Sequence, residues 1–133
     1  MGSILPTIRG RLDRAGMLLS CLCAVHCVLG LVIVAGLGVG GTFLLDPAIH
    51  RWGLLVATII AGVAIGVGAI QHRRPLPFVI AMTGLSFMGG GLAVEHGVEE
   101  AVLTVIGVTL VALGHLLNVR IGHAHRASGL HEA

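Results

Sequence analysis

Charged residues are scarce in this sequence: they make up 11% of its 133 residues, and the basic ones are all arginine. Because a soluble domain carries about 25% charged residues, the chain has too little charge for an ordinary water-exposed surface. Its net charge of +2 leaves no extended basic surface for phosphates, which excludes a nucleic-acid-binding protein. With 56% hydrophobic residues, intrinsic disorder is excluded as well. The class that remains is an integral membrane protein of one small domain.

Four apolar runs are long enough to cross a bilayer, which takes about 20 residues in a helix. They predict an all-α, four-helix bundle in the membrane. The first run continues to Leu45, but the glycines from Gly36 to Gly41 lead us to expect helix only to about residue 40. We expect no signal cleavage at Cys21, because only about four apolar residues precede it. The predicted helices cover residues 15–40, 52–70, 76–94 and 101–121, between flanking segments 1–14 and 122–133.

The arginines predict the orientation of this bundle. Seven of the eight lie at one set of helix ends, and Arg51 lies at the other. Because cytoplasmic loops are enriched in arginine, we expect both termini and the loop at residues 71–77 to lie in the cytoplasm. Segment 1–14 either rests on anionic lipid or serves only to set the orientation. The opposite loops hold four acidic residues, namely Asp46, Glu95, Glu99 and Glu100.

Glycine is abundant, with 21 residues, and its spacing predicts close helix packing. Gly62 and Gly66 have the four-residue separation that lets two helix backbones approach each other. This pair joins helices within one chain or joins two copies in a homodimer, and the sequence does not decide between them. We expect similar contacts at Gly84, Gly89–Gly91, Gly107 and Gly114.

All three cysteines fall within seven residues of the first predicted helix, beside a histidine. Cys23, His26 and Cys27 share one helix face, whereas Cys21 points nearly opposite, since two residues turn a helix by about 200°. Thiolates with an imidazole suit soft or borderline ions such as Hg(II), Cu(I) and Zn(II). The alternative is that the cysteines pack as small apolar side chains. His26 favours a metal site, because a histidine within a span is costly without a partner or a task.

Further polar residues are candidates for a metal route along the bundle. His72 and His115, with Asn118, lie towards the predicted cytoplasmic ends, and we expect His26 to converge with these two histidines in the inner half. Each of them could instead cap a helix or bond a neighbour. On the outer side Glu95, His96 and Glu99, with Asp46, His50 and Glu100, either attract cations or form an ordinary solvated loop. The C-terminal segment carries His123, His125 and His131, which either catch an emerging ion or have no metal role.

These residues together resemble the MerC-domain family of bacterial inner-membrane proteins. The resemblance implies a four-helix bundle in the cytoplasmic membrane that takes up Hg(II) and delivers it to a cytoplasmic reductase. By position, it implies that Cys23, His26 and Cys27 bind the ion. The residues that carry it are Asp13, the run Ser20-x-x-Cys23-Ala24-x-His26-Cys27, His72 with Arg73, and the ending His115-x-x-Asn118-x-Arg120.

The chain departs from the family pattern in one respect. Mercury-transport members have a further cysteine pair on the cytoplasmic side, whereas this chain has no cysteine after Cys27. Its inner histidines suit Zn(II) or Cu(II) better than Hg(II), which prefers thiolates. Three functions therefore stay open: a mercury importer, a zinc or copper transporter with the same site, and a metal or thiol sensor that transports nothing.

No motif for an enzyme or an organic cofactor is visible in the sequence. We expect neither an enzymatic activity nor such a cofactor, but a bound metal ion: Hg, Zn or Cu. The expected partners are membrane lipid, the metal cation and a cytoplasmic acceptor of that metal, with no nucleic acid.

Overall fold

A computed structural model describes residues 4–37, 46–95 and 97–131 of the chain. These residues form four helices and no strand, which confirms the all-α prediction. The helices α2 and α4 contact each other, and α1 and α3 each pack against both of them. The helices are α1 (Ile4–Leu37), α2 (Pro47–His72), α3 (Leu76–Gly91) and α4 (Val98–His131).

Successive helices run in opposite directions. At one end of the bundle, hydrogen bonds join both the first half of α1 and the end of α2 to the second half of α4. At the other end, the second half of α1 contacts the start of α2, which lies beside the start of α4. The start of α1 and the end of α4 therefore lie at the same end of the bundle.

The helix bounds differ from the predicted ones at both ends of the chain. The helix α1 begins at Ile4 and not at Ala15, so residues 4–14 of the basic segment belong to the same helix as the first span. The helix α4 extends beyond residue 121 to His131. The predicted end of the first helix near residue 40 lies outside the described residues, where α1 is followed as far as Leu37.

Among the residues that the structure describes, three helical stretches are long and apolar enough to cross a membrane: Gly10–Gly30, Ala48–His72 and Val98–Ala124. The helix α3 has 16 residues and ends at Gly91, three residues before the predicted end. The glycines at 89–91 account for the early end, because glycine destabilises helix interiors. At 1.5 Å per residue, α3 covers about 24 Å of a hydrocarbon core of about 30 Å.

The start of α2 is fixed by a local cap. The Asp46 side chain accepts a hydrogen bond from the backbone N–H of Ala48 at 2.8 Å, and Pro47 occupies the first helical position. This cap places His50 one turn into α2.

The bundle has a core of small side chains and an apolar outer surface. Ala61, Ala64 and Ala81 are fully buried, and bulkier side chains such as Leu18 and Ile70 are exposed on the outside. In water such a surface would be unfavourable, whereas lipid tails solvate it.

Glycine brings α3 and α4 into backbone contact. A Cβ atom added at Gly84 would lie 2.6 Å from the carbonyl oxygen of Gly107, and one at Gly114 would lie 2.9 Å from the Cβ of Ala81. Gly107 and Gly91 are similarly confined, whereas Gly89, Gly90 and Gly62 have nothing within 4 Å of that position. The Gly62/Gly66 pair therefore makes no close helix contact in the described chain.

We expect Gly84→Ala to lower the free energy of unfolding by about 1–3 kcal/mol, because the added methyl group overpacks the α3–α4 contact. Gly89→Ala is the matched control on the same helix, and it should be neutral or stabilising by up to about 1 kcal/mol. Denaturant unfolding in detergent micelles measures both. Equal stability of the two variants would contradict the proposed contact.

Candidate metal site and the polar clamp

A cavity of about 400 Å³ lies in the half of the bundle opposite the segment 4–14. The α1 side chains Cys23, His26 and Cys27 line it together, as their shared helix face predicted. The helix α2 contributes His50, and α3 contributes the thioether of Met88. Three sulfur atoms and two imidazoles therefore surround one space, a donor set that suits soft and borderline metal ions.

The closest polar contacts in this cavity centre on His50. Its Nε2 lies 3.5 Å from the Sγ of Cys27 and 3.9 Å from an Oε1 of Glu100. The His50 ring also meets the ring of His26 edge-on, with 5.4 Å between the centroids. Cys27 and Glu100 are both buried, so three helices bring a thiol, an imidazole and a carboxyl group together away from solvent.

These groups do not form a closed metal site. Within the described ranges, no three His, Cys, Asp or Glu side chains are arranged so that they could hold a metal ion. A structural zinc site, by contrast, presents four ligands in a closed tetrahedron. In this geometry the described side chains therefore do not by themselves make a three-ligand metal site.

Other predicted metal candidates lie outside this cavity. Cys21 is exposed, in keeping with its predicted position on the opposite face of α1. Glu95 and Glu99 are exposed, and Asp46 caps α2. His96 and the side chains of His125 and His131 fall outside the described part of the chain, while His123 is exposed.

At the opposite end, four buried side chains form a hydrogen-bonded group that we call the polar clamp: Asp13, His72, His115 and Asn118. Asp13 Oδ1 lies 2.7 Å from His115 Nδ1, and the Asn118 amide donates to Asp13 Oδ2 at 2.9 Å. The same amide donates to the carbonyl oxygen of Ala64 at 3.2 Å. The clamp thus links α1, α2 and α4.

The hydrogen bonds of the clamp form one chain of donors and acceptors that runs from Arg74 through His72 and Asn118 to Asp13. The Arg74 backbone N–H donates to His72 Nδ1 at 3.3 Å, so this nitrogen carries no proton. His72 Nε2–H then donates to Asn118 Oδ1 at 3.1 Å. Asn118 in turn donates to Asp13, so its oxygen and nitrogen are oriented by partners on both sides.

Two glycines make room for the clamp. A Cβ atom at Gly16 would overlap the His115 ring, and one at Gly68 would overlap the amide of Asn118. Sequence reasoning missed both, although Gly16 follows Asp13 by three residues and thus shares its helix face. It also missed that Asp13 is buried and that His50 and Glu100 approach Cys27.

Two of the predicted metal ligands, His72 and His115, are members of the clamp. Both ring nitrogens of His72 are hydrogen-bonded, and His115 has only Nε2 without a partner. That nitrogen faces Gly16 at close range, which leaves no space for an ion. His26 lies beside His50 and not with these two histidines, so the predicted convergence of three histidines is replaced by two separate groups.

We expect Asp13→Ala to lower the free energy of unfolding by about 1–3 kcal/mol, since it leaves buried donors on His115 and Asn118 unsatisfied. A double-mutant cycle with His115→Ala should give a coupling energy of about 0.5–3 kcal/mol in micelles. The exposed neighbour Arg14 is the control, and Arg14→Ala should change stability by no more than about 0.5 kcal/mol. Additive effects of Asp13→Ala and His115→Ala would contradict the clamp.

Comparison with known proteins gives one family match. No curated protein and no solved structure matches the chain. The model of one family, described as MerC mercury resistance protein, matches residues 13–120, from the buried aspartate of the clamp to the arginine that follows Asn118. Since this match covers well over half of the sequence, the chain belongs to the MerC mercury resistance protein family.

Proposed function

We propose that this protein carries Hg(II) across the bacterial cytoplasmic membrane into the cell, and that Cys23 and Cys27 bind the ion on its way. MerC proteins are mercury-related membrane transport proteins and not enzymes. The observation that carries the residue assignment is the cavity, because both thiols line one space within a membrane span. His26 lines the same space and adds a borderline nitrogen donor.

The direction of transport is proposed from charge. The clamp end of the bundle holds most of the arginines, and on this basis it faces the cytoplasm. The cavity then lies towards the outside, near the acidic residues Glu95, Glu99 and Glu100. A membrane potential that is negative inside favours cation entry by about 2.3 kcal/mol per charge per 100 mV.

Release into the cytoplasm requires the clamp to open in this scheme. Asp13, His115 and Asn118 close the space between α1 and α4 at the inner end, where all three are buried. Because the chain lacks a second cysteine pair, the ion would pass to a cytoplasmic thiol acceptor or transiently to His72 and His115 after their hydrogen bonds break. Asn118 and the exposed Cys21 are secondary candidates for metal ligands in this scheme.

We expect cells that express the protein to accumulate Hg(II), and the Cys23→Ser/Cys27→Ser variant to return accumulation to that of cells without it. The reason is that serine oxygen is a poor ligand for a soft ion. Mass spectrometry of cellular metal content, at equal amounts of protein in the membrane, measures the effect.

Cys21→Ser is the matched control, because Cys21 lies on the same helix but outside the cavity. It should accumulate mercury as the wild type does. Unchanged mercury accumulation in the double variant would show that the cavity thiols do not carry the ion. Loss of accumulation in Cys21→Ser would show that the site lies on the face of α1 that carries Cys21.

The proposed orientation is tested with fusions to alkaline phosphatase, which is active only outside the cytoplasm. A fusion after Glu95 should be active, whereas fusions after Arg74 and after Ala133 should be inactive, because arginine-rich ends stay inside. The reverse pattern would reverse the proposed topology.

A further inference from the structure

We propose that a binding site for borderline divalent cations, Zn(II) and Cd(II), lies at the edge of the cavity. Cys27 on α1 and His50 on α2, which both line the cavity, are the primary ligands. Glu100 on α4 does not line the cavity but lies 3.9 Å from His50 and completes the coordination. This inference rests on the proposed transport function and concerns its selectivity. Neither His50 nor Glu100 belongs to the helix-one motif that carries the family resemblance. The sequence named both only as members of an outer acidic group, and the structure shows His50 next to Cys27 and Glu100 next to His50.

The separation of the two primary donors supports tetrahedral coordination. Zinc bonds of about 2.3 Å to sulfur and about 2.0 Å to nitrogen, at a tetrahedral angle, place the two donors about 3.5 Å apart. Cys27 Sγ and His50 Nε2 are 3.5 Å apart. A linear ion with the same bond lengths would need its donors about 4.3 Å apart, so this pair fits a tetrahedral ion better than linear Hg(II).

Glu100 is in a position to provide the third ligand. Its carboxyl oxygen lies 3.9 Å from His50 Nε2, where a tetrahedral ion would need about 3.3 Å between nitrogen and oxygen. Glu100 is buried at 6% exposure, whereas the adjacent Glu99 is exposed. A buried carboxyl group next to a thiol and an imidazole is costly without a cation or another partner, which is the second observation that points to a ligand here.

The incomplete geometry fits a transport site better than a storage site. The described residues hold no set of three ligands that is ready to bind a metal ion. A bound cation must therefore either pull the Glu100 carboxyl group closer to His50 by a fraction of an ångström or retain a water molecule as a ligand. A passing ion has to be bound strongly enough to enter and weakly enough to leave. Hg(II) would bind the two thiols of Cys23 and Cys27, while Zn(II) and Cd(II) would bind across α1, α2 and α4.

The test measures binding of Zn(II), Cd(II) and Hg(II) to the purified full chain in lipid nanodiscs, by competition with chelators. We expect His50→Ala to weaken Zn(II) and Cd(II) binding by about 10- to 100-fold and Glu100→Gln by about 10-fold. In both variants Hg(II) binding should weaken by a smaller factor than Zn(II) and Cd(II) binding, because Hg(II) has the two thiols of Cys23 and Cys27 as ligands. Glu99→Gln is the matched control for Glu100, and His123→Ala is the control for His50, since both control residues are exposed.

A second measurement separates a ligand from a structural role. X-ray absorption at the zinc edge should show a sulfur shell at about 2.3 Å together with imidazole scattering, and the imidazole signal should disappear in His50→Ala while the sulfur shell stays. Zinc bound without sulfur or imidazole, or Zn(II) and Cd(II) affinities unchanged in His50→Ala, would overturn the proposal. Equal losses for all three metals would also overturn it, because His50 would then only maintain the fold.

The outcomes distinguish this proposal from the proposed function. If Hg(II) accumulation depends on Cys23 and Cys27 but His50→Ala leaves zinc and cadmium binding intact, the transport function stands and the second ligand set is wrong. If zinc and cadmium bind through His50 but no mercury enters the cell, the transport function is wrong and the ligand assignment alone stands.

Discussion

The buried carboxyl group of Asp13 is the constraint on which the arrangement of helices depends. It lies 1% exposed inside an apolar bundle, where a polar group without hydrogen bonds costs several kcal/mol. His115 and Asn118 satisfy it from α4, and Asn118 also binds α2 through Ala64 and His72. Apolar packing discriminates weakly between helices in lipid, so these directional bonds fix the register of α1, α2 and α4.

Glycine allows this register to form and determines where space remains. At the clamp end, Gly16 and Gly68 leave room for the His115 ring and the Asn118 amide. Along α3 and α4, Gly84 and Gly107 bring the backbones into contact. The cavity with its thiols lies at the opposite end. One end of the bundle is thus closed by hydrogen bonds, and the other end holds the soft donors.

The sequence predicted the helix number, the membrane class and the shared face of Cys23, His26 and Cys27, because all three follow from composition and helical period. The early end of α3 after the glycines at 89–91 and the helical state of residues 4–14 were missed, since a hydrophobic pattern defines where a helix lies better than where it ends. The sequence could not show that His72 and His115 bond Asn118 and Asp13, because their separation along the chain is large. For the same reason the approach of His50 and Glu100 to Cys27 became visible only in three dimensions.

In the proposed function, the thiols that line the cavity carry Hg(II) through the bundle. The most direct measurement is Hg(II) entry into liposomes that contain the purified protein and a trapped thiol chelator, with a potential that is negative inside. We expect Hg(II) to enter liposomes with the wild type and with Cys21→Ser, but not liposomes with Cys23→Ser/Cys27→Ser. Entry that is equal with and without the two cavity thiols would contradict this expectation.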